Sequence, residues 1–153
     1  MQLRHTTTGD KMKNSADLLS SILKTTQMGQ IGIRSILKTP LRASLRSELN
    51  SQLKEYDAIE SEAHKIARSR GMVLKELDPA IKAMTNMMAR TRLSFGDIDS
   101  KAAAMMIQGN TRGIIKGFKN LNQFPPSDQR VANLASKLID FEETNNRQLQ
   151  GFL

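Results

Sequence analysis

Residues 15–40 read SADLLSSILKTTQMGQIGIRSILKTP, and this stretch decides the fold. Positions 15, 19, 22, 26, 29, 33 and 36 are Ser, Leu, Ile, Thr, Gly, Ile and Ile. Steps alternating between four and three residues mark one face of a helix that packs in a bundle. The pattern predicts a first helix over about 15–38, roughly 35 Å long at 1.5 Å per residue. Thr39-Pro40 then supplies an N-cap residue and a proline suited to the first helical position, so a second helix is expected within a residue or two. A connection that short folds the two helices back on each other.

Working outward, the second helix carries Leu45, Leu49, Gln52, Tyr56, Ile59, Ala63 and Ile66 on one seam. Gly71 ends it, after Arg68 and Arg70, which complement the negative helix end. Residues 72–97 form a long connection. Within it Asp78-Pro79 starts a short amphipathic helix over 80–93, with Ile81, Met84 and Met88 on one face. A third helix follows an Asp/Ser cap at 97–100, with its seam expected at Ala104, Ile107, Thr111, Ile114, Phe118 and Leu121. Pro125-Pro126 stops it. Ser127 is expected to cap the fourth, whose seam runs Val131, Ala135, Leu138, Glu142, Asn145, Leu149 and Phe152. The expected fold is all-α: an antiparallel four-helix bundle over 14–153, with a crossover holding a short extra helix between helices 2 and 3. Residues 1–13, polar with TTTG in the middle, read as a flexible tail.

The chain has 153 residues, which suits one domain. It contains no cysteine, and so no disulfide, thiolate ligand or cysteine nucleophile. No run of 18 apolar residues is present, and the opening MQLRHTTTGDKMKN lacks an apolar core, so neither a membrane span nor a signal peptide is expected. Net charge is +8, distributed as +6 over residues 1–47, −2 over 48–78, +5 over 79–126 and −1 over 127–153. No contiguous basic run accompanies it, and only 4% of residues are aromatic, which argues against single-strand nucleic-acid binding by base stacking.

Two helical hairpins joined by a crossover resemble the ferritin-like fold. TPLRASLRSELNSQLKEYDAIESEAHKIARSRGM (39–72) and LASKLIDFEETNNRQLQGFL (134–153) are similar to helices of small bacterial ferritin-like proteins of the spore coat protein F type. That resemblance implies a cytoplasmic, spore-associated structural role. It also sets a test, because iron-oxidising members of the superfamily place one Glu on each of two helices and Glu-x-x-His on each of the other two. Here helix 1 offers Gln27 and Gln30, and helix 3 offers Gln108. Glu60 and Glu62 stand four and two residues from His64, not three. Helix 4 carries Glu142-x-x-Asn145. Amides are poor iron ligands, so no metal, cofactor or catalytic residue is assigned. Gln30, Gln52, Gln108, Glu142 and Asn145 are instead expected to hydrogen-bond across the core, with Thr26 and Thr111 as further donors.

GNTRGIIKG (109–117) is no phosphate loop, since it lacks the G-x-x-x-x-G-K-[ST] spacing and lies within a helical period. Its glycines sit four apart, and with Ala102 and Met106 they form a ridge: Ala102, Met106, Gly109, Gly113, Gly117. Placed opposite the expected seam, this ridge is an outer strip for the 80–93 helix or for a second copy of the chain. Three functions follow in order. The first is a non-enzymatic bundle acting through protein contact or self-association, the second an iron-binding or iron-oxidising carboxylate protein, and the third a basic nucleic-acid-associated bundle.

Overall fold

The computed structural model describes residues 8–84 and 96–153. Among these residues all regular structure is helical. Four long helices, α1 (Thr8–Ile36), α2 (Ala43–Arg70), α3 (Ile98–Gln123) and α4 (Gln129–Leu149), pack into a bundle, and a 3-10 turn, Gln150–Phe152, closes the chain. Helical structure begins again at residue 79 and is described to 84. The rest of the expected 80–93 helix, including Met88, lies outside the described residues, as do residues 1–7 of the expected tail.

Helix α1 starts at Thr8, within the stretch read as tail. The connection to α2 spans residues 37–42, longer than expected, because Thr39 does not cap α2. Its hydroxyl donates back to the Ile36 carbonyl, and Arg42 takes the N-cap position without a side-chain cap. Asp99 of α3 serves there instead. Its carboxylate accepts from the Arg42 backbone N–H at 3.2 Å and pairs with the Arg42 guanidinium. Arg46 reaches back to the Leu37 and Thr39 carbonyls, both at 2.8 Å, and ties down the groups a helix end leaves unpaired.

Gly71 closes α2 with φ of 64°, and the Met72 N–H bonds the Ala67 carbonyl. The strap that follows lies along α1. Lys75 donates its backbone N–H to Ser20 Oγ at 3.0 Å, and Leu77 donates to Gln27 Oε1 at 2.9 Å. These two α1 side chains satisfy backbone that has no ladder of its own. Asp97 caps α3 by accepting from the Ser100 N–H. Asp128, not Ser127, caps α4 by accepting from the Arg130 N–H. Asp128 also binds Arg70 at 2.7 Å, and Arg130 binds Glu62 at 2.9 Å, so α2 and α4 are tied at that end.

The seams of α1, α2 and α4 lie where the spacing puts them. All seven α2 positions are buried, and so are Val131, Ala135, Leu138, Glu142, Asn145 and Leu149 of α4. Helix α3 differs. Its buried residues are Asp99, Ala102, Ala103, Met106 and Asn110, and none of the six expected seam residues is buried. The helix is turned so that its small residues face the bundle. Gly113 and Gly117 point inward: a Cβ at Gly113 would lie within 3.0 Å of the Glu142 carboxyl, and one at Gly117 within 3.0 Å of Ile139. The expected outer strip is therefore in part an inner contact, where missing side chains let α4 come close. Of the expected seam, Phe118 is 51% exposed, whereas Ile107 and Leu121 are half-buried against the edge of the core; Ile115, outside that seam, is 50% exposed. Met84 is 58% exposed.

Candidate functional site: a buried tyrosine and carboxyl beneath a glycine-lined crevice

Tyr56 is the only tyrosine in the chain and is fully buried. It projects from the middle of α2, where its ring meets Phe141 of α4 edge-on at 4.8 Å, a favoured geometry for aromatic pairs. Its hydroxyl lies 3.0 Å from Glu142 Oε2 of α4 and 3.1 Å from Asn110 Oδ1 of α3. Three helices thus place one polar group each at a single point in the core. The fourth contributes space: a Cβ on Gly29 of α1 would lie within 3.0 Å of the Tyr56 ring and hydroxyl.

Glu142 is 2% exposed, and among the described residues no ion pair reaches it. Burial raises its pKa to about 8, and the hydrogen bond from Tyr56 only partly opposes that rise. Burial first, and then the neighbouring Glu142, push the Tyr56 phenol well above its usual value. Near neutral pH the carboxyl is therefore mostly protonated, and hydrogen-bond accounting agrees. A single phenol proton cannot serve both Glu142 and Asn110. A protonated Glu142 can donate to the phenol oxygen and leave the phenol proton for Asn110 Oδ1. Glu142 Oε1 and Asn110 Nδ2 remain buried with no hydrogen-bond partner.

The expected five-residue amide network does not form. Gln30 turns to Asp57 at 2.8 Å, and Gln52 bonds Glu48 at 2.9 Å. Asn145 is buried with its Nδ2 unpartnered, and Gln108 is exposed. Thr26 and Thr111 donate to the Ile22 and Ile107 carbonyls of their own helices, not to Glu142. Glu60 and His64 stay half-buried on α2, away from this centre. Glu142 instead meets Tyr56, which the α2 seam already places inside, and Asn110 meets the same hydroxyl. The α3 reading hid Asn110 because the helix was phased on Ile and Phe.

Above this cluster, between α1 and α3, runs a crevice of about 360 Å³. Gly29 and Gly32 of α1 and Gly109 and Gly113 of α3 line it, and Asn110 and Glu142 form its floor. The glycines of the ridge differ in what they do. Gly109 is exposed, with nothing within 4 Å of an added Cβ. Gly109→Ala is expected to stabilise the fold by about 1 kcal/mol through helix propensity alone. Gly113→Ala is expected to lower the melting temperature, because its Cβ would strike the Glu142 carboxyl; thermal unfolding of the pair checks both signs.

The ferritin-like resemblance implies a di-iron centre in the iron-oxidising members, and the donor set does not fit one. A single carboxylate, a phenol and an amide meet at the centre. Among the described residues no three His, Cys, Asp or Glu side chains come together. A pair of cations needs bridging carboxylates to neutralise it. Among the described residues no helix is long and apolar enough to cross a membrane. Comparison with family models, with curated proteins and with solved structures finds no match to this chain.

Proposed function

We propose that this chain is a non-enzymatic, ferritin-like antiparallel four-helix bundle that acts through protein contact, with a second copy of itself as the partner. Contacts between helices support the topology. Ser20 with Lys75, Gln30 with Asp57 and Leu37 with Arg46 run in opposite senses along α1 and the α2 hairpin arm. Thr111 with Asn146, Gly113 with Glu142 and Gly117 with Ile139 do the same along α3 and α4. Arg42 with Asp99, and Ser21 with Asn120, set the start of α3 beside the start of α2, as a crossover requires.

The observation that carries the contact reading is the outward face of α3. Ile115 and Phe118 stand half exposed beside half-buried Ile114, on a helix whose apolar spacing continues past the face it buries. An apolar strip of this kind on one helix can pair with its own copy about a two-fold axis. The resemblance to the spore coat protein F type agrees with a role in an assembly. Sedimentation velocity over a wide range of concentration is the test. The wild-type chain is expected to dimerise, and the double variant Ile115→Glu, Phe118→Glu to stay monomeric with its helicity intact. A monomer at every concentration sinks the reading. In parallel, added Fe(II) is expected to oxidise no faster than in buffer.

A further inference from the structure

The crevice between α1 and α3 has a composition that the contact reading does not use. Its walls include Met28, Ile36, Leu77, Met105 and Met106, and four helical glycines hold the two helices' backbones bare along it. Its lining also holds three cations, Lys24, Arg112 and Lys116, and none of them is within ion-pair distance of a carboxylate among the described residues. At its floor two polar atoms lack partners: Glu142 Oε1 and Asn110 Nδ2, on residues 2% and 1% exposed. Buried polar atoms are almost always satisfied in folded proteins, and each exception asks for a partner. An apolar cleft of this size with a few convergent polar groups is the usual form of a small-molecule site.

We infer that this crevice binds a small amphipathic organic anion that bears a hydroxyl on its apolar body. The anionic group sits at Lys24, Arg112 and Lys116. The apolar body lies against the methionines and the glycine backbone. The hydroxyl, one group that both donates and accepts, reaches the floor, where it donates to Glu142 Oε1 and accepts from Asn110 Nδ2. Methionine suits the wall because its flexible, polarisable thioether adapts to irregular shapes. The glycines are needed because a side chain at Gly113 would close the opening onto Glu142.

Isothermal titration of the whole protein with ω-hydroxydecanoate, decanoate and decanediol tests the site. The hydroxy acid is expected to bind saturably, one per chain. Decanoate, which leaves the floor unpaired, is expected to bind about tenfold more weakly, a difference of about 1.4 kcal/mol. The triple variant Lys24→Gln, Arg112→Gln, Lys116→Gln is expected to lose affinity for the hydroxy acid and to keep its affinity for the diol. Gly109→Leu places a side chain in the crevice at a position where nothing is displaced, so it is expected to abolish binding with the circular dichroism unchanged. Failure of all three probes to saturate overturns the proposal. So does equal affinity for decanoate and its hydroxy analogue, or undiminished binding to Gly109→Leu.

Discussion

Gly29→Ala is expected to destabilise the protein by about 3 kcal/mol, although alanine is the better helix former by about 1 kcal/mol. The added methyl would lie 2.6 Å from Tyr56 Cε2 and 2.7 Å from its hydroxyl, well inside contact distance. Tyr56 has no room to yield. It is fully buried, held edge-on by Phe141 and fixed at its tip by Glu142 and Asn110. Moving the ring would also strip Glu142 of the one hydrogen-bond partner it has among the described residues, and leaving a buried acid unpaired adds to the loss. Urea unfolding of Gly29→Ala, Tyr56→Leu and the double variant checks the mechanism. Strong non-additivity is expected, with alanine costing little once the ring is gone. Equal costs of Gly29→Ala in both backgrounds would refute it.

The second large effect is a dependence of stability on pH that resides in Glu142. The unfolded chain releases this proton near 4.5, whereas the folded protein holds it up to about 8. Between those values folding takes up a proton. The stabilisation is therefore fully present below pH 4.5, falls as pH rises through 8, and levels off above it. At about 1.4 kcal/mol per pKa unit, the change is on the order of 5 kcal/mol. Glu142→Gln is expected to remove it. The amide keeps a donor for the Tyr56 oxygen and carries no charge to bury, so the variant should match the wild type in acid and exceed it in alkali. Denaturant midpoints taken on either side of the window decide the matter, and an undiminished slope in the variant would assign the effect to another group.

Three of the four seams are legible because Leu, Ile, Val and Tyr recur often enough among their buried positions for the period of 3.6 to show in the letters alone. On α3 the same rule picked the wrong face. Ile107, Ile114 and Phe118 announce a seam, but the bundle instead buries Ala102, Ala103, Met106 and Asn110 and brings Gly113 against Glu142. Glycine has no side chain to register as hydrophobic, yet at a close helix crossing its lack of a Cβ is what packs. The error carried into the site. With α3 turned by about one residue's angle, Gln108 moves out to the surface and Asn110 moves in to meet Tyr56. Glu142 was placed correctly, because its α4 neighbours are strongly apolar. Its partner was not, because amides and threonines on adjacent helices looked equally able to serve. The ends of helices failed for a related reason: Asp99 caps α2 from fifty-seven residues away, and nothing local to Thr39 reveals it.

The notch at Gly29 also limits how the first two helices can slide. Shifting α2 by one turn along its neighbour would set the Tyr56 ring against Thr25 on one side, or Gly32 and Ile33 on the other, and would part its hydroxyl from Glu142 and Asn110. In a chain with a single tyrosine and no tryptophan, one ring, its notch and its two polar partners act as key and keyway for the hairpin.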